Sequence, residues 1–162
     1  MSKTTYKDIV ENLELSPHPE GGYYKEVYRS TEKVQKANGN QRTAGTGIYF
    51  LLPQGVCTNW HRVASDECWH FYKGDRLILE IIDPAGSFEQ LYLDNELNGN
   101  SCFQGLVPQN CWQRAYCTGG YSLVGCTVAP GFEFEDFEMV EQEGLVEEFP
   151  NNASKIRHDP FS

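Results

Sequence analysis

Residues 55–74 read GVCTNWHRVASDECWHFYKG, two glycines bracketing two histidines, two acidic residues and two tryptophans. Side chains two apart along a strand share a face. His61 and Val63 therefore look one way, and Trp60 and Arg62 the other. Beyond the turn ASD, Glu67, Trp69 and Phe71 share a face opposed to Cys68, His70 and Tyr72. If the two runs pair as a hairpin across that turn, His61 and Glu67 face one interior and His70 points elsewhere.

The flanking sequence extends the β pattern in both directions. YYKEVYRS, TGIYFLL, RLILEII, FEQLYL, SCFQGLV, WQRAYC, YSLVGCTV and EFEDFEMV are short, β-branched or aromatic runs. Turn signals such as KANGNQ, PQG, KGD, DPAG, NELNGN and TGG separate many of them. Strands at this spacing, with no helical pattern between them, exclude a parallel α/β sheet and predict an all-β sandwich or barrel. One helix is predicted at the start, where Thr5 can cap it and Asp8 sits three residues on. Tyr6, Ile9, Val10 and Leu13 would form its apolar face. SPHPEGG then ends it. No break in composition divides the chain, so residues 1–162 read as a single domain with its core at about 5–140. Residues 141–162 read as a C-terminal extension whose polar end, NNASKIRHDPFS, is expected to be an irregular surface segment.

Bulk composition narrows the function classes. The 162 residues are 40% hydrophobic and 13% aromatic, enough for a real core and too apolar for disorder. A formal net charge of −10 and the lack of a basic stripe disfavour a phosphate-backbone partner, so no nucleic acid is expected. No apolar run approaches membrane-spanning length and the first residues lack a signal peptide's apolar segment, so no membrane partner is expected and the assignment is cytoplasmic. The six cysteines show no CxxC pair and are expected as free thiols.

The first motif of the cupin superfamily has a glycine, five residues, a histidine, one residue, a ligand position, three residues, a glutamate, six residues and a glycine. Here Gly55, His61, Val63, Glu67 and Gly74 fit every spacing, with valine in place of the second histidine. In the second motif, Pro108, Asn110 and Gln113 occupy the places of proline, glycine and the last ligand histidine. HPEGGYYKEVYRS, WHRVASDECWHFYKGD, LVPQNCWQRA and GYSLVGCTVAPGFEFEDFE together resemble the cupin-5 family, a domain of unknown function. The resemblance implies a cupin double-stranded β-helix, a jelly-roll barrel, preceded by a short helix. It also implies a homodimer. YYKEVYRS suits that role, because an open sheet edge has to be covered, charged or paired.

His61 and Glu67 are the candidate catalytic pair, a base and its carboxylate partner inside the barrel. Gln113, Glu20, Tyr24, Trp69, Arg114 and Phe132 are the candidate substrate contacts. Glu20 would line the mouth, and Trp69, Trp112 and Phe132 would form a stacking wall. Arg114 and Arg29 would hold a carboxylate or phosphate through forked hydrogen bonds. Tyr23, Tyr24, Tyr28 and Tyr49 are candidates for returning a proton. Cys111, with no local histidine, reads as structural. Metal-holding cupins use three imidazoles and a carboxylate, whereas His61, Glu67 and Gln113 would hold a divalent transition metal only weakly. The expectation is therefore no cofactor and a small polar ligand, carbohydrate-like or carboxylated, with epimerase- or isomerase-type proton transfer. The alternatives are a metal-dependent oxygenase or lyase built on those three residues, and a non-catalytic sensor or storage-type barrel.

Overall fold

The computed structural model describes residues 3–162. Helix α1 (Tyr6–Asn12) is capped by Thr5, whose hydroxyl accepts from the Asp8 amide at 3.3 Å while the Asp8 carboxylate accepts from the Thr5 amide at 2.7 Å. Two otherwise orphaned donors are thereby satisfied reciprocally. Strands β1 (Ser16–Pro17), β2 (Tyr23–Arg29), β3 (Lys33–Gln35), β4 (Gln41–Thr43) and β5 (Thr46–Pro53) follow. Next come β6 (His61–Val63), β7 (Asp66–Gly74), β8 (Leu77–Ile82), β9 (Phe88–Leu93) and β10 (Ser101–Cys102). The last strands are β11 (Gln104–Val107), β12 (Trp112–Cys117), β13 (Tyr121–Ala129) and β14 (Phe137–Met139), before helices α2 (Gln142–Glu148) and α3 (Ala153–Ile156).

One six-stranded sheet runs β1-β2-β5-β13-β7-β11 and the other β10-β9-β8-β12-β6-β14, while β3 and β4 form a separate hairpin. The two large sheets pack face to face as a jelly roll. β6 and β7 do not pair across the ASD turn as the hairpin expectation had it. β6 pairs with β12 and β14, and β7 with β13 and β11, so the turn carries the chain from one sheet to the other. Both strands still aim their alternate residues at the same interior, because the inner faces of a sandwich look at each other.

Several strands read as continuous apolar runs because both of their faces are covered. Along β5, Phe50 and Leu52 enter the central core, whereas Leu51 lies beneath α1 with Ile9, Leu15 and Leu123. Along β12, Ala115 and Cys117 face the central core, whereas Trp112 packs outward with Trp60, Ile82, Leu145, Val146 and Ile156. The C-terminal segment is accordingly not the irregular surface piece expected. It folds into α2 and α3 and closes the outer face of the second sheet, with Leu145 and Ile156 fully buried. Each such side chain contributes roughly 1.5–3 kcal/mol relative to exposure. EFEDFEMV also differs from expectation, forming a short 3-10 turn, Phe134–Asp136, before β14. No helix among the described residues is long and apolar enough to cross a membrane.

Candidate functional site

The loop HPEGG places Glu20 inside the barrel rather than at its rim. The loop closes on itself, the His18 amide donating to Gly22 O at 2.9 Å and the Gly21 amide to His18 O at 3.0 Å. Gly22 has φ +77°, and a side chain there would stand 2.7 Å from the Leu51 carbonyl, so only glycine lets the loop lie this close to β5. The Glu20 amide donates to His18 Nδ1 at 3.1 Å. That nitrogen is therefore unprotonated. Burial, the largest influence, also holds the His18 pKa below its ordinary value, so this ring is neutral.

Glu20 then meets His61. Its Oε2 lies 2.8 Å from His61 Nε2, and His61 Nδ1 lies 2.7 Å from the carbonyl of Asn59. A carbonyl only accepts, so Nδ1 carries a proton and both ring nitrogens are engaged. Burial, the largest single influence, pulls the His61 pKa down. The charge and hydrogen bond of Glu20, with the Asn59 carbonyl and Glu67, together outweigh it and leave the pKa raised. The carboxylate partner of His61 is thus Glu20, where the sequence had pointed to Glu67.

Glu67 projects from the opposite sheet, with Val128 and Val107 as its register partners on β13 and β11. Its Oε1 accepts from Gln113 Nε2 at 2.8 Å, and Gln113 Oε1 accepts from the Trp69 indole at 3.0 Å. Burial, and after it the charge of Glu20, push the Glu67 carboxyl up to about 7, against the opposing pull of His61, the hydrogen bond from Gln113 and the nearby Trp69 indole. Glu67 forms no ion pair with a lysine or arginine among the described residues.

These groups line a partly open cavity of about 120 Å³, walled by Tyr24, Ile48, Val63, Trp69, Phe132 and Phe137. Glu26, Arg29, Glu133 and Phe134 stand among its lining residues. Of the residues singled out from sequence, Glu20, Tyr24, Arg29, His61, Glu67, Trp69 and Phe132 reach the cavity. Gln113 does not line it, being spent behind Glu67 on two protein partners. Arg114 is a correction: one step along β12 from Gln113, it faces outward and binds Glu80 at 2.9 Å and the carbonyls of Lys155, Ile156 and His158. Trp112 shares that outer face, with the Arg62 guanidinium 4.4 Å above its ring. Tyr23 and Tyr49 pack on the α1 side, and Tyr28 is exposed. His70 meets the Thr127 hydroxyl at 2.8 Å on the other face of β7. The six cysteines are unpaired. His18 and Phe137 were missed, although the alternation of aromatics in GFEFEDFE held a signal for the latter.

Two packed, largely antiparallel sheets around a polar pocket define a cupin-type protein. The chain belongs to the cupin-5 family: the sequence model of that family, described as Cupin superfamily (DUF985), matches residues 7–140. A hypothetical protein from Leishmania major superposes with a TM-score of 0.89 at 35% identity, over 95% of this chain and 97% of that one. Protein SO0799 from Shewanella oneidensis gives 0.87 at 35% identity, over 96% of each chain. Uncharacterized protein YML079W of Saccharomyces cerevisiae is 25% identical over 94% of this chain and 85% of its own length. A dTDP sugar isomerase from Desulfovibrio desulfuricans, at 13% identity and a TM-score of 0.54 over 80% of this chain and 86% of that one, shares the fold alone.

Proposed function

We propose that the cavity binds a small carbohydrate-like molecule and moves a proton on it without a metal, as an isomerase or epimerase does. The observation that carries this reading is the juxtaposition of Glu67 with the Glu20–His61 pair in one cavity. An acid–base group works best when its pKa lies near the working pH, and Glu67 at about 7 meets that condition. The metal positions of the superfamily do not fit a transition metal here. Val63 offers hydrocarbon, the Gln113 amide is bonded at both ends, and both nitrogens of His61 are engaged.

In this scheme Glu67 takes a proton from a carbon beside a carbonyl, and the electron pair of that bond moves onto the carbonyl oxygen. The proton on His61 Nε2 travels only along the bond to Glu20. Glu20 is then the group that returns a proton to the substrate, and His61 positions and recharges it. Tyr24 is the tyrosine of the early strand that meets the ligand. A carbohydrate-like ligand is favoured over a carboxylated one because Arg114 points away and Arg29 is held by Glu26 and Glu133. The outer edge of β2 beyond Tyr24, where only β1 pairs at Tyr23 and Tyr24, supports the expected homodimer.

The test is deuterium exchange. Aldoses, ketoses and amino sugars are incubated with the protein in deuterium oxide, and proton NMR follows the hydrogen beside the carbonyl. We expect exchange in at least one sugar, unchanged by prior chelation and slowed about 100-fold or more by Glu67→Gln. Saturable binding with no exchange would instead make the barrel a sensor. Exchange abolished by chelation and restored by iron, manganese, nickel or zinc would return the metal-dependent reading.

A further inference from the structure

We propose that the ligand of this cavity carries a positively charged amino nitrogen beside its hydroxyl groups, so that the site selects a compact hydroxylated amine such as an amino sugar. The inference rests on the binding site described above and goes further, to the ligand's charge.

The argument begins with the charges facing the cavity. Glu20 is matched by His61 at 2.8 Å, and His18 is held neutral by the amide it accepts from. The one guanidinium lining the cavity among the described residues, Arg29, is shared between Glu26 at 2.8 Å and Glu133 at 2.9 Å, and also donates to the Phe132 carbonyl at 3.0 Å. One cation against two carboxylates leaves that cluster with a negative excess. Glu67 has no matching cation, although it is only 8% exposed. An unpaired carboxylate that deeply buried is costly. A ligand ammonium would supply the missing partner.

The walls lead to the same chemistry. Phe132, Phe134 and Phe137 form mutual edge contacts with centroids 5.0–6.1 Å apart, and the His18 ring stands edge-on to Tyr24 at 4.5 Å. An aromatic enclosure attracts a cation through ring quadrupoles and holds no preference for an anion. A carboxylate or phosphate would confront Glu67 and the Glu26–Glu133 pair with no free donor cation to receive it. The volume calls for a compact group, since about 120 Å³ is the liquid share of roughly four waters, room for choline or for the amino-bearing part of a sugar whose remainder stands in the mouth.

A pH signature follows from the surroundings of Glu67. Facing it are Glu20, His61 and the Cys126 thiol, which burial holds far above its ordinary pKa and therefore neutral; the neighbouring Cys68 thiol is likewise raised. His18, Glu26, Arg29 and Glu133 complete the charged or titratable lining. Glu67 ionises near neutrality, so an ammonium drives off its proton on binding and affinity rises with pH.

Choline, whose charge does not titrate, is compared with dimethylbutanol, its uncharged isostere, by calorimetric titration, and glucosamine with glucose at pH 7. We expect the charged member of each pair to bind about tenfold tighter or more. Choline affinity should fall about tenfold between pH 8 and pH 6. Glu67→Gln should remove that dependence. Equal affinity within each pair, or no saturable binding of either amine below about 10 mM, overturns the inference. Neutral sugars that bind and exchange deuterium while amines fail would overturn the amine assignment alone and leave proton transfer standing. Amine binding with no exchange in any sugar would do the reverse.

Discussion

Two buried carboxylates on opposite sheets illustrate what a fold does with charge. Glu80, 1% exposed on the outer face of β8, meets Arg114, 5% exposed, at 2.9 Å. Arg114 spends its remaining donors on three carbonyls of the C-terminal segment and lays its guanidinium 4.8 Å from the Trp60 ring centre. Glu67, on the inner face of β7, has one neutral donor at 2.8 Å and, among the described residues, no lysine or arginine paired with it, and its pKa is pushed up to about 7. The first carboxylate fastens a helical segment to a sheet. The second retains a charge that the protein itself does not neutralise. Full compensation suits a structural role, and incomplete compensation beside a cavity is what the proposed ligand site rests on.

The largest effect is expected on the outer face. Arg114→Met should cost about 3–5 kcal/mol in urea unfolding, because it leaves Glu80 buried without its partner. Adding Glu80→Met should recover part of that loss, since a hydrocarbon pair carries no stranded charge. Choline binding by the refolded double variant should match that of the wild type. A single variant as stable as the double one would break the contrast between the two carboxylates.

On the inner face the sign reverses. The folded pKa of Glu67 lies above its ordinary 4.5, so ionisation costs stability. That cost is absent below pH 4.5, grows as pH rises toward 7 and is complete above it. Glu67→Gln should therefore raise the free energy of unfolding in urea at pH 8, by up to something on the order of 3 kcal/mol, and confer no gain at pH 4.5. A loss of stability at pH 8 would mean that the carboxylate already has a cationic partner in the protein.

The smallest expected effect is spectroscopic. Nitrogen NMR should show the His18 ring neutral at a pH where His61 still carries both protons. Because the His61 pKa is raised in the fold, the stability its charge contributes is present below pH 6.5 and fades as pH climbs through the raised value. Glu20→Gln should bring the His61 titration down toward or below that of His18. An unchanged His61 titration in that variant would detach Glu20 from the pair.

Strand parity made much of the site legible. It put His61, Glu67 and Trp69 on inner faces and His70 outside, and the structure has them so. The same reasoning read a hairpin across ASD where the chain changes sheets, since alternation fixes which face a residue shows and says nothing about the strand beside it. Arg114 was misplaced for want of the parity argument applied to His61: if Gln113 faces inward, its neighbour cannot. The helices after residue 140 were hidden by their polar composition, although Leu145, Val146 and Phe149 already had helical spacing.

The jelly roll came from the family resemblance; by itself the sequence pattern determined an all-β sandwich or barrel, the capped first helix, and the inward faces of the cupin-motif residues. Those properties are local: period-two alternation, glycine and proline turns, and a capping box within four residues. Tertiary structure alone decided the chemistry. It gave His61 to Glu20 from a distant glycine loop, left Glu67 with a neutral amide for a partner, committed Arg29 to two glutamates and sent Arg114 to the tail. The reason is physical. Charge compensation in a low-dielectric interior depends on distances of a few ångströms between groups far apart in sequence, and no local pattern encodes those distances.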